Sequence, residues 1–173
     1  RKEGLKWLML MKFKISRIAY TDLESFQKCP LQFYFRKALN LPTPSTSAQH
    51  FGQVMHKVLE TAGQQLIRNN TPTREDLLAD FEQRWKTVHF DDPDHKERLK
   101  LRAAELIDRF IKMQSDRKGI PLELEKRFSV GLGNAQLIGM IDRVDKTPEG
   151  LAIIDYKTGK QSSIDLKKDM QLP

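Results

Sequence analysis

Cysteine is nearly missing from this chain. Cys29 stands alone among 173 residues, so no internal disulfide can close and no thiolate zinc site can be assembled from the chain itself. Long hydrophobic runs are missing too. Nothing approaches the ~20 apolar residues a membrane helix needs, and the Trp7-Leu8-Met9-Leu10-Met11 stretch is too short for a signal h-region and lacks a small-residue cleavage site. There is no phosphate-binding P-loop, because Gly159-Lys160 is followed by Gln161 and no glycine sits five residues earlier. Internal repeats, low-complexity tracts and a G-x-S-x-G elbow are likewise absent. These absences exclude a disulfide scaffold, a membrane span and a serine hydrolase, and they place the expected home of the chain in the cytoplasm.

What is present describes a soluble globular chain. Apolar residues make up 39% and charged residues 31%, enough for a real core. The net charge of +7 favours a polyanionic partner, although basic composition alone is a weak indicator. Helical signals dominate the first two thirds. Thr21 and Glu24 match a capping box before the run ending near Leu41, where Pro30 should end or kink the first turns. A loop is expected from Pro42 to Gln49, then helices from about Phe51 to Arg68 and from about Glu75 to Val88. A longer helix follows the Asp91–Asp94 stretch, with a core stripe of Leu99, Ala103, Leu106, Phe110 and Met113. Strand signals come later. Leu122, Leu124, Lys126, Phe128 and Val130 alternate with Glu123, Glu125, Arg127 and Ser129, and Gly131 to Asn134 forms a turn.

The most informative stretch runs from Ile141 to Lys160. Two apolar runs flank Thr147-Pro148-Glu149-Gly150, a turn in which Pro fixes φ and Gly is free to take φ > 0. Antiparallel pairing around it sets Lys146 against Leu151, Val144 against Ile153 and Asp142 against Asp155. Two carboxylates would then face each other with Cβ atoms about 4.5–5.5 Å apart, which repels. Period-two sorting puts Met140, Asp142, Val144, Ile153, Asp155 and Lys157 on one face, expected to point toward a covering helix. Burying adjacent carboxylates requires neutralisation, and a divalent cation such as Mg²⁺ or Mn²⁺ supplies it. Lys157 could then reach a phosphate held by the ion. The competing account is a solvated hairpin end, with Asp142 paired to Arg143 or Lys146 and Asp155 to Lys157 or Lys160. Asp145, on the other face, is expected to pair with Arg143 or a Lys. Glu123 and Glu125 could approach the ion from the neighbouring strand, but solvent-facing charges on a half-buried strand are the simpler account.

These residues carry a resemblance. Gly139, Asp142, Asp155 and Lys157 resemble the signature of the RecB-like branch of the PD-(D/E)XK nuclease superfamily. The chain is similar to the nuclease modules of bacterial helicase-nucleases and to CRISPR-adaptation exonucleases. "FGQVMHKVLE" resembles the family's Gly-x-x-x-His helix, and "YTDLESFQKCPLQFYFRKAL" its N-terminal segment. Gln171 matches the first residue of the family's Gln-x-x-x-Tyr helix, whose Tyr lies beyond Pro173.

The resemblance implies an α+β, restriction-endonuclease-like core: a small central mixed sheet flanked by helices, with a helical N-terminal half. It implies one nuclease domain over residues 1–173, truncated at its C-terminus and therefore weak or inactive as a fragment. The activity implied is Mg²⁺- or Mn²⁺-dependent hydrolysis of DNA phosphodiesters, exonuclease-type, in repair or recombination. The catalytic set would be Asp142, Asp155 and Lys157. Metal ligands would be His56, Asp142, Asp155 and the Tyr156 carbonyl, and substrate contacts Gln171, Arg143 and Tyr156. The basic stretches Lys96–Arg102 and Arg109–Lys118 are candidates for tracking a DNA backbone, single-stranded or at a duplex end, and a fused or separate helicase is an implied partner. Some relatives bind an iron–sulfur cluster through one N-terminal and three C-terminal cysteines. Cys29 alone cannot build one, and it reads instead as a small buried residue before Pro30. The rival reading is a catalytically idle nuclease fold that holds DNA or serves assembly.

Overall fold

The computed structural model describes residues 15–90, 92–116 and 119–159. In chain order these form β1 (Arg17–Ala19), α1 (Tyr20–Lys28), α2 (Pro30–Lys37), α3 (Ser47–Ile67), α4 (Arg74–Trp85), α5 (Pro93–Asp116), β2 (Ile120–Leu132), β3 (Ala135–Thr147) and β4 (Gly150–Ile154). The four strands make a mixed sheet in the order β1-β3-β2, with β4 also on β3. β1 runs parallel to β3, pairing Ile18 with Leu137, whereas β4 runs antiparallel to it. Helices in the first two thirds and a small mixed sheet, built from β1 and the three strands of the last third, match the expected α+β class.

The described residues divide into two compact units, 15–44 and 127–140 in one and 45–126 and 141–159 in the other. In the first unit, α1 begins at Tyr20, earlier than the Thr21 capping box implied. Asp22, not Glu24, supplies the cap, accepting the Ala19 N–H at 2.9 Å while also pairing with Lys37. Cys29 separates α1 from α2 and is half-buried rather than buried. Pro30 sits at the first helical position of α2, where its missing N–H costs nothing. Phe33 is buried and meets the Phe26 ring edge-on at 5.5 Å. The Phe128 ring lies over Gly139, where a Cβ would meet it at 2.5 Å.

The second unit holds the main core. Phe51, Met55, Val58, Leu59 and Ala62 of α3, Leu77, Phe81 and Trp85 of α4, and Ala103, Ile107 and Phe110 of α5 form one buried cluster. α3 starts four residues before the expected Phe51, because Thr46 and Gln49 make a reciprocal capping box that the reading of this stretch as a loop missed. It ends where Asn69 takes φ +58°, a conformation Asn tolerates. Thr73 caps α4 by accepting the Asp76 N–H. In α5 the buried stripe is Ala103, Ile107 and Phe110, with Leu99 and Leu106 at its margin. Met113, expected in the stripe, is mostly exposed. Gly63 admits Leu124 of β2, since a Cβ there would meet its methyl at 2.6 Å.

Candidate metal-dependent active site

The β3–β4 hairpin has the expected register: Lys146 opposite Leu151, Val144 opposite Ile153, and Gly150 at φ +138° in the turn. Its buried face is the other one. Arg143 and Asp145 are each 1% exposed and Ile154 is buried, whereas Met140 and Ile153 are exposed. The reason is a self-neutralised pair. Arg143 Nε donates to Asp145 Oδ1 at 2.5 Å and its Nη2 donates to Oδ2 at 2.8 Å, a bidentate fork that lets both charges be buried. Gln114 of α5 accepts a further bond from Arg143 at 2.9 Å. Arg143, which the resemblance implies as a substrate contact, is 1% exposed and held by Asp145 and Gln114.

Asp142 is also buried, but it projects to the side that carries α3. Its Oδ1 lies 3.3 Å from His56 Nδ1, and its Oδ2 accepts the Tyr156 N–H at 2.7 Å. Burial acts to raise its pKa. The His56 hydrogen bond and the Tyr156 N–H outweigh that and hold the carboxyl below the usual carboxylate range. The hydrogen bond that His56 donates to Asp142 in turn holds the imidazole above its ordinary value, against the opposing effect of burial.

The third member is Glu125 of β2. Donor atoms of His56, Glu125 and Asp142 lie within 4.8 Å of one another, the one such acid–imidazole group among the described residues. Sequence alternation pointed Glu125 outward. The backbone overrides it: Glu125 takes φ +49° in the middle of a strand, so Leu124 and Glu125 are both half-buried and the alternation breaks there. Burial raises the Glu125 pKa, with Asp142 and Glu60 adding to it and Lys57 and His56 opposing. No residue-type pattern in β2 signals a left-handed glutamate.

Asp155 is placed differently from the facing-carboxylate expectation. β4 ends at Ile154, and Asp155 is about half exposed, with Lys157 Nζ 2.8 Å from its Oδ2. It stands outside the close trio, though near enough for its charge to help raise the His56 pKa. The segment after β4 carries Tyr156, whose ring meets His56 at 6.3 Å and Phe110 at 6.2 Å, both edge-on. Thr158 lies against α3 at Gly52, where a Cβ would sit 3.5 Å from its hydroxyl. Gln171 lies outside the described residues. On α5, Arg98, Lys100 and Arg102 each have a carboxylate partner, as a solvated helix face does.

The trio suits a divalent ion. Two carboxylates and one imidazole form a hard-to-borderline donor set of the kind Mg²⁺ and Mn²⁺ accept. Donor atoms ~2.1 Å from a shared ion lie up to ~4.2 Å apart, so the observed cluster needs little contraction.

With that geometry in view, residues 17–173 match the family model described as the PD-(D/E)XK nuclease superfamily. The chain belongs to the PD-(D/E)XK nuclease superfamily. The mixed sheet with flanking helices is consistent with the superfamily's restriction-endonuclease-like fold. The chain is also similar to an uncharacterized protein of Rickettsia bellii (strain RML369-C), 24% identical over 175 residues, which cover 90% of this chain and 20% of that protein. The chain thus spans about a fifth of that relative's length. Among the described residues no helix is long and apolar enough to cross a membrane.

Proposed function

We propose that this chain is a Mg²⁺- or Mn²⁺-dependent deoxyribonuclease of the RecB-like branch. It hydrolyses phosphodiester bonds in an exonuclease mode during DNA repair or recombination in the cytoplasm, alongside a fused or partner helicase. The observation that carries the reading is the meeting of His56, Glu125 and Asp142 beside the Asp155-Tyr156-Lys157 segment. His56, Asp142 and Asp155, with the Tyr156 carbonyl, would hold the ion, and Glu125 joins them from β2. The chemistry the ion supplies there is activation of a bound water and neutralisation of charge on the phosphate.

The protein's own groups do the rest. Tyr156 N–H and His56 hold Asp142 ionised, so the acid stays a ligand at neutral pH. Lys157, steered by Asp155, presents an ammonium that orients water or offsets developing charge. The half-exposed Asp155 and Lys157 leave this side of the site open to a polymeric phosphate.

The test is degradation of end-labelled single-stranded DNA by the wild type and by Asp142→Asn and Asp155→Ala, with Mn²⁺, with Mg²⁺ and with chelator. Metal-dependent loss of label by the wild type and at least about a 100-fold drop in each variant are expected. Undiminished cleavage in either variant removes that residue from the site. DNA binding without cleavage would instead favour an idle nuclease fold that holds DNA.

A further inference from the structure

The segment that carries Asp155, Tyr156 and Lys157 is not part of the sheet, because β4 stops at Ile154. Something other than strand pairing must set its height above β3. Two edge-on ring contacts, with His56 and Phe110, pack the Tyr156 ring without giving it a directional bond. Among the described residues the phenol oxygen accepts from one directional partner, Arg143 Nη1 at 3.5 Å. That same nitrogen donates to Gln114 of α5, and the other side of the fork is locked onto Asp145. Asp145 is itself packed against Gly119, where a Cβ would come within 3.0 Å of its Oδ2. A chain of fixed groups therefore runs from Gly119 and α5 through Asp145 and Arg143 to Tyr156. It continues through the Tyr156 N–H to Asp142 Oδ2, 2.7 Å away.

A buried ion pair is a poor device for stability alone, since a well-packed apolar pair of similar volume serves as well or better. What an apolar pair cannot provide is a rigid fork that touches an acid, an amide and a phenol at once. We infer that the buried Arg143–Asp145 pair is a positioning device: it fixes Tyr156, whose backbone N–H then holds Asp142 in its ligand orientation and sets the Asp155–Lys157 segment. This rests on the metal-site reading for its purpose, but its central claim concerns one hydrogen bond that can be measured without metal. Arg143 acts only through Tyr156 and touches no reacting atom.

The experiment uses Arg143→Lys, which keeps a charge against Asp145 but loses the fork, and Tyr156→Phe, which keeps the ring and the N–H but loses the phenol. Amide hydrogen exchange is followed in chelator, and Mn²⁺ binding by calorimetry. The expected result is a Tyr156 amide that exchanges about tenfold faster in both variants, while Val58 and Leu59 in the α3 core keep wild-type rates. Mn²⁺ affinity should fall about tenfold, the usual size of an effect from a group behind a ligand. A Tyr156 amide within about twofold of wild type in the folded variants overturns the inference, and so does equal acceleration of the α3 amides, which would mean general destabilisation. If Arg143→Lys fails to fold, Tyr156→Phe decides alone. A wild type that binds no Mn²⁺ would defeat the metal-site reading while leaving the exchange result to judge the positioning role.

Discussion

Glu125 holds a left-handed backbone in mid-strand so that its carboxylate can reach His56 and Asp142, and this placement works against the chain's own stability. A non-glycine residue there costs roughly 1–2 kcal/mol, and the carboxylate also sits beside other acids. Glu125→Gly should leave stability in chelator unchanged or raised by up to about 1 kcal/mol, because glycine adopts this φ without strain. The same variant should lose at least about tenfold in Mn²⁺ affinity. Chemical denaturation and calorimetry check the pair of outcomes; a stability loss with intact binding would make Glu125 a structural residue. His56 brings a pH dependence. In the metal-free protein its pKa is raised by Asp142, so the stabilisation it contributes is fully present below its unfolded value near 6.5 and is lost as pH rises through the higher folded value. A metal ion must displace that proton, so Mn²⁺ affinity should weaken as pH falls through the raised value. Titrating Mn²⁺ binding between about pH 6 and 8.5 tests this, and a flat profile would exclude the imidazole as a ligand.

At the scale of elements, the helical core is where stability resides. Ile107 of α5 is fully buried in the cluster shared with α3 and α4, and Ile107→Ala should cost about 2–5 kcal/mol as a transfer loss plus a cavity. A denaturation midpoint unchanged by that variant would contradict the assigned core. The elements also show what was readable beforehand. Helical periodicity and the Pro-Gly turn are local signals, so α3, α4, α5 and the β3–β4 register could be read directly from the residues. The juxtaposition of His56 with Asp142 could be read only through the resemblance, since nothing in helix spacing connects α3 to β3. Which hairpin face is buried could not be read. Hydrophobic alternation favours Val144 and Ile153, and it is a bidentate Arg143–Asp145 fork, a relation between two side chains, that reverses the choice. Glu125 was legible only as one of two acids on the neighbouring strand that could approach an ion; the left-handed backbone that brings it to His56 and Asp142 leaves no compositional trace.

Across the whole molecule, the surplus of +7 charges makes any association with DNA sensitive to salt. If as few as ~3 phosphates are neutralised, the affinity of the Asp142→Asn variant for single-stranded DNA should drop about 20-fold between 50 and 200 mM salt. Fluorescence anisotropy across that range measures the slope, and binding indifferent to salt would argue against a phosphate-tracking surface. Another molecule-wide consequence follows from β1. Ile18 finds its sheet partner, Leu137, about 120 positions further along. On a ribosome adding about 5–20 residues per second, β1 waits at least several seconds for that partner to be made. α3, α4 and α5 can meanwhile assemble from contacts much closer in sequence. Until β3 arrives, β1 is without its parallel partner, while α1 can already pack on α2 and on β1.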